Sequence, residues 1–272
     1  MKRFLIGCGL FAFGLSVILP LAWVVWTSLK ASPEIFESPW GFPRHPDWHN
    51  YVTAWTDGGI GVGFVNSFLV TVGTLAILIP IGAMAAYVFA RYPFRGSQAL
   101  FGTFLGGMMF PQFLTIVPLF FLMQQLGLYD TRIGLTCVYV AFSLPFTVFV
   151  LRGFFETLPK ELDEAAMMDG CGHARAFWQV MLPLAKPGLI VVAIFNAIGL
   201  WNEYSLALVL ISSDQNMTLP LGVAHLAITN QYQGDWGGLF AALVIVMTPV
   251  LALYWAFRER IHEVMLAGAL KG

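Results

Sequence analysis

The chain has 272 residues, 58% of them hydrophobic and only 11% charged, with a mean hydropathy of +0.75 and a formal net charge of −1. So few charges cannot cover a soluble globule of this length, and the composition is that of an integral membrane protein in contact with lipid. The balanced charge gives no footing for nucleic acid. Cys8, Cys137 and Cys171 lie in two apolar stretches and one polar one, which makes neither a disulfide framework nor a metal cluster.

Six stretches are long enough to cross about 30 Å of hydrocarbon, at 4–29, 62–90, 99–123, 133–151, 187–212 and 237–257. The first follows Lys2 and Arg3; it is too long for a signal-peptide core and has no small-residue cleavage site, so it is expected to be a retained span. Between the first two spans, Lys30 to Gly61 is rich in Pro, Trp and Gly. Trp40, Trp48 and Trp55 suit a membrane interface, and Pro46 interrupts any helix that would align His45 and His49 with Asp47 as a metal site, so a solvated loop is expected there.

Gly82, Ala86 and Ala90, four apart on the second span, make a narrow stripe that lets a neighbour approach, and Gly102 with Gly106 offers the same on the third. Pro80, Pro111, Pro118, Pro145 and Pro249 fall inside spans, where each frees a carbonyl and bends its helix. Basic residues set the orientation. Eleven of the fourteen (Lys2, Arg3, Arg91, Arg95, Arg152, Lys160, Arg175, Lys186, Arg258, Arg260 and Lys271) fall on the side of the termini, leaving Lys30, Arg44 and Arg132 opposite. That bias places both termini in the cytoplasm.

The one long polar interval between spans runs from Leu158 to Pro187, on the same side as the termini. It reads as two short helices, 160–168 and 173–181, hinged at Gly170 and Gly172. Within it stand Glu164, Ala165 and Ala166, then Asp169 and Gly170, and after a nine-residue gap Val180, Leu182 and Pro183. This pattern resembles the EAA loop of binding-protein-dependent ABC import permeases, with Val180 where that loop has Ile. The run NYVTAW at Asn50 followed by NSFLVT at Asn66 resembles the entry to the second span in sugar-type permeases.

The fifth span holds Asn196, Trp201, Asn202 and Glu203. A carboxylate near mid-bilayer costs roughly 2.5–3.5 kcal/mol to insert, so Glu203 must face water or a polar partner. It can line a solute path, hold helices together, or relay protons, and its residue type does not choose. The WNEY run resembles the fifth-span motif of sugar permeases, which favours the first two. The external connection from Ser212 to Trp236 contains Asp214 and Asp235 but no lysine or arginine, and is open to reading as a contact for an extracellular partner or as a plain loop; the tail from Ile261 ends AGALKG.

No Gly-Lys pair occurs, so a Walker A loop is excluded, and no HExxH, nucleophile elbow or paired carboxylates appear in the spans. The chain is therefore not expected to be an enzyme, and no cofactor or metal is implied. The resemblance implies an all-α membrane protein of six transmembrane helices with the type I ABC importer permease fold. Residues 1–63 would form the first helix and external segment, 64–257 the transmembrane domain with the 158–187 coupling loop, and 258–272 a cytoplasmic tail. It further implies a second permease subunit as heterodimer partner, two cytoplasmic ATPase subunits and an extracytoplasmic solute-binding protein. Glu164, Ala165, Ala166, Asp169, Gly170, Leu182 and Pro183 would couple to the ATPase. Leu270, Lys271 and Gly272 would touch it from the tail, and Asn196, Trp201, Asn202 and Glu203 would line the path of a sugar, polyol or glycerol phosphate ester. The rival readings are an ion-coupled secondary transporter using Glu203 and a structural membrane subunit with no path.

Overall fold

The computed structural model describes residues 2–269, with side chains described throughout except at residues 2, 231–233 and 260–269. All regular structure among the described residues is helical. The chain begins with α1 (Lys2–Thr27), α2 (Ser32–Glu37), α3 (His49–Thr56) and α4 (Ile60–Arg91). Next come α5 (Ser97–Met109), a 3-10 turn at Gln112–Thr115, α6 (Ile116–Gln125) and α7 (Arg132–Thr157). The polar interval forms α8 (Glu161–Met168), α9 (His173–Ala176), a π-helical turn at Phe177–Met181 and α10 (Leu182–Leu184). The remainder is α11 (Lys186–Trp201), α12 (Ser205–Leu210), α13 (Leu219–Gln233) and α14 (Trp236–Ala269).

Among the described residues four helices, α1, α4, α7 and α14, are each long and apolar enough to cross a membrane, and two bent pairs bring the number to six. The bend at Pro111 falls where the sequence puts a proline, whereas the break at 202–204 departs from the reading of 187–212 as one span. The 99–123 stretch breaks before Pro111, and its halves meet at 93°. Pro111 has no N–H to give and holds Phe110 extended at ψ 124, so the α5 ladder stops there. The 187–212 stretch is likewise interrupted, with α11 and α12 separated at 202–204. At its other end α11 turns by 74° from the helical run that precedes Lys186. The 212–236 connection contains the fifteen-residue helix α13, whose ends carry Pro220 in the first turn and Gly234 at φ 74.

By its contacts the chain divides into two compact units, residues 1–65 with 217–251, and residues 66–216 with 252–272. In the first, polar groups fasten the end of α1. Asn50 donates from Nδ2 to the carbonyls of Ser28 and Lys30, at 2.9 Å each, satisfying groups that a helix end leaves free. Lys30 is fully buried with Nζ donating to Ser38 O at 2.8 Å, and burial lowers its pKa from the usual lysine value. Gly63 passes close to the backbone of Leu219 at the start of α13. Among the described residues none of the membrane-crossing window of α1 is buried, and Phe4, Leu10, Phe11 and Phe13 stay exposed, leaving that apolar surface for lipid or another chain to cover.

In the second unit, the core joins Ala83, Ala86 and Tyr87 of α4 to Val148, Leu151 and Phe155 of α7 and Val192 of α11, with Phe177, Met181 and Ala185 packed against them. The small-residue stripe on α4 does what its spacing implies: a Cβ at Gly82 would overlap Thr147 Cγ2, so α7 lies directly on it. The stripe on α5 does not. A Cβ at Gly102 or Gly106 would meet nothing within 4 Å, because the facing surface of α5 is left uncovered by the chain itself.

Candidate functional site

The 158–187 hairpin folds as its punctuation dictates. α8 opens with Glu161, Asp163 and Glu164 in its first turn, where the unpaired N–H groups favour negative charge. It ends where Asp169 returns its N–H to Ala165 O and Met167 O, and Gly170 turns the chain at φ 79. That conformation suits glycine. Gly172, by contrast, is extended at φ −73 and reverses nothing. Pro183 sits in the first turn of α10, where a missing N–H costs nothing.

The residues of the motif point in different directions. Glu164 and Ala165 are exposed beside Met168, which is 88% exposed, whereas Ala166 is 6% exposed and turned into the hairpin. Val180 and Leu182 pack on the bundle core, leaving Pro183 at the surface. Asp169 and Gly170 are exposed at the turn. The sequence reading passed over Asp163, which the fold makes the best-held acid of the hairpin. Its Oδ2 pairs with Arg91 Nε at 2.9 Å, and its Oδ1 accepts from Tyr87 Oη at 2.6 Å. The available signal was its position at the third residue of a helix, across from a basic residue ending a span.

The second candidate region is a cleft of about 520 Å³ between the α5–α6 break, α7 and α11. It brings together Asn196 and Glu203 of the sequence-predicted set, but not Trp201, which is buried, or Asn202, whose Nδ2 donates to Ile198 O at the end of α11. It adds Gln112, Tyr139, Ser143 and the ring of Phe195, which no local motif marks. Asn196 is buried and donates to Thr147 Oγ1 at 3.1 Å and Val192 O at 2.9 Å.

Glu203 occupies the break between α11 and α12, and its carboxylate is fully engaged by donors. Tyr139 Oη donates to Oε2 at 2.5 Å, Leu206 N to Oε1 at 2.7 Å and Ala207 N to Oε2 at 3.2 Å. An interrupted membrane helix exposes backbone N–H groups that lipid cannot satisfy, and here the acid of the break supplies the acceptor. α11 has 16 residues and so reaches about 24 Å, and Glu203 stands just ahead of α12, the helix that follows it. A similar device closes the opposite connection. Asp130, at φ 55, accepts at Oδ1 from Ser212 N, Ser213 N and Ser213 Oγ, each at 3.0 Å. Burial pushes its carboxyl up, but the Ser213 and Ser212 donors outweigh it and hold the pKa below the usual value. Leu270, Lys271 and Gly272 lie outside the described residues.

Residues 78–262 match the family model of the binding-protein-dependent transport system inner membrane component. The chain is 47% identical over 255 residues to the diacetylchitobiose uptake system permease protein NgcG of Streptomyces coelicolor, covering 94% of this chain and 84% of that one. It is 33% identical to the trehalose transport system permease protein SugB of Mycobacterium tuberculosis, covering 94% and 93%. In fold it matches a chain of a bacterial ABC transporter that imports the acidic polysaccharide alginate, with a TM-score of 0.78 at 24% identity over 94% of this chain and 95% of that one. The chain belongs to the binding-protein-dependent transport system inner membrane component family, the permease subunits of ABC importers, which are not enzymes themselves and work with a separate ATPase and a solute-binding protein.

Proposed function

We propose that the chain forms half of the import path for a small neutral oligosaccharide, and that its 158–187 hairpin is the seat of a cytoplasmic ATPase. The observation that carries the sugar class is the lining of the cleft at α7 and α11. Aromatic rings, among them Phe195 and Phe142, alternate with Gln112, Ser143 and Asn196, and among the described residues the lining holds no lysine or arginine. Rings suit the C–H faces of a sugar, and neutral polar groups suit its hydroxyls. A phosphate ester would want a cationic clamp, so that class fits less well. Relatives named as uptake permeases for diacetylchitobiose and trehalose support the same reading.

In the hairpin, Glu164 and Ala165 are the residues free to meet another protein: a charge for a basic partner and a small side chain that allows close approach. Leu182 would hold the hairpin to the bundle and Ala166 would close it internally, Pro183 would stay at the surface within reach of the ATPase, and Asp169 and Gly170 would shape its turn. The excess of basic residues on the side of the termini supports a cytoplasmic hairpin with both termini inside. The bare apolar surface of α1 supports a second permease subunit beside this one, and the tail residues Leu270, Lys271 and Gly272 would add an ATPase contact. Closure of two ATPase subunits on ATP would draw the hairpins together and bias the bundle toward its outward-facing state, which a loaded binding protein must also favour.

The test is uptake by proteoliposomes holding this chain with its partner permease and ATPase. Uptake of a labelled disaccharide is expected to need ATP inside and binding protein outside, and to resist a protonophore. Uptake by this chain alone, abolished by the protonophore, would overturn the reading in favour of an ion-coupled transporter.

A further inference from the structure

We infer that Arg91 and Asp163 are positioning residues for coupling, a buried ion pair that makes the end of α4 and the hairpin move as one body. The inference rests on the reading of the hairpin as the ATPase seat, and it assigns the two neighbouring acids of α8 different tasks. Glu164 faces outward, while Asp163 is spent on the bundle.

Both Asp163 oxygens are committed to α4. Arg91 Nε holds one at 2.9 Å, with the two side chains 5% and 15% exposed, and Tyr87 Oη holds the other at 2.6 Å. The guanidinium then reaches further. Arg91 Nη2 donates to Leu158 O at 2.8 Å and Pro159 O at 3.2 Å, and Leu158 is the residue that ends α7. One side chain therefore fixes the last turn of α4, the end of α7 and the first turn of α8. The other helix of the hairpin is fastened to the same place: His173 Nδ1 lies 2.9 Å from Tyr92 Oη, which lies 3.1 Å from Tyr87 Oη.

Apolar packing also joins the hairpin to the bundle, since Leu158 and Leu162 lie against its core. Such contacts are non-directional and tolerate sliding. The ion pair, with Arg91 Nη2 also donating to two carbonyls, ties three elements at one side chain, and the better-attested use of a buried pair is to fix register rather than to add stability. A push on α8 is thus delivered to α4, whose small-residue stripe lies directly on α7.

The experiment uses the reconstituted complex with ATPase and binding protein, and reads solute imported per ATP hydrolysed. The double variant Arg91→Met with Asp163→Leu removes both charges, so no unpaired ion is left buried. The ATPase is expected to copurify and still hydrolyse ATP, while solute per ATP falls at least ten-fold. A second pair, Arg91→Cys with Asp163→Cys in a background where Cys8, Cys137 and Cys171 are serine, is expected to behave the same until bridged by a short bifunctional thiol reagent, which restores the ratio. A wild-type ratio in the double variant overturns the inference while leaving the hairpin as the ATPase seat. Loss of ATPase copurification in the double variant, or no recovery on bridging, also overturns it, because the pair would then build the seat instead of transmitting through it. Failure of the wild-type chain to copurify any ATPase overturns the reading of the hairpin as well.

Discussion

Replacing Glu203 separates a structural acid from a transporting one. Glu203→Leu takes the acceptor away from Tyr139 Oη, Leu206 N and Ala207 N together. A buried donor left unpaired costs about 1–3 kcal/mol, and because the cleft admits water beside Glu203 the low end applies, giving about 3 kcal/mol for the three. Glu203→Gln keeps one oxygen and turns an amide N–H₂ toward a donor, which costs about 1–2 kcal/mol. Thermal unfolding of the purified complex in detergent is therefore expected to rank wild type above Gln and Gln above Leu. Uptake by Glu203→Gln at a permissive temperature should stay within a few-fold of wild type. If Glu203→Leu unfolds with the wild type, the break between α11 and α12 is held by something else. If Glu203→Gln is stable yet transports nothing, the charge acts in transport and the capping argument is refuted.

Gly82→Ala and Gly102→Ala, identical on the page of the sequence, should diverge: the first overlaps Thr147 and costs about 1–3 kcal/mol, while the second meets open space and gains up to about 1 kcal/mol of helix propensity, both read as shifts in unfolding temperature. Asp130→Asn should lower stability at neutral pH by about 1 kcal/mol, the charge-assisted share of its hydrogen bonds to Ser212 and Ser213. Because the folded carboxyl titrates below its ordinary value of 3.8, that advantage of the wild type is complete above 3.8 and fades as the pH falls through the folded value, so the two unfolding curves should converge in acid. Gly170→Val places a β-branched residue at φ 79 and should strain the hairpin turn by about 1–3 kcal/mol, weakening ATPase copurification without reducing the amount of chain in the membrane.

The hairpin was legible because its signals are local. Proline at each end, a glycine that needs positive φ and an acidic first turn lie within thirty residues, and α8 and α9 begin within a residue of where those signals put them. The six apolar stretches were equally plain. Hydropathy does not register a change of direction inside an apolar run; a proline marked the bend at Pro111, whereas nothing local marked the break at Glu203, which looked like part of a straight span. The sequence reading did not anticipate α13, although Pro220 and Gly234 mark both its ends. Asp163 and Tyr139 were missed for another reason. Their partners Arg91 and Glu203 stand more than sixty residues away, and a pairing at that range is set by how helices pack.

Those long-range pairs suggest how a chain so poor in charge uses its acids. Asp130, Asp163 and Glu203 each stand where helical structure is interrupted or begins, and each accepts from donors on a different element. In lipid an interruption is tolerated only when its freed backbone groups find an internal acceptor. A carboxylate does that with two oxygens and strong hydrogen bonds, and it holds the two elements in one register. The interruptions are also where a bundle can bend, since an intact helical ladder resists it. The same carboxylates tie the α11–α12 break to α7 and the hairpin to α4. Polar residues in these spans are accordingly poor guides to solute contact on their own. Glu203 faces the cleft and yet is engaged as a helix cap, so specificity among sugars is expected to lie with other cleft groups, Gln112 and the exposed ring of Phe195 first among them.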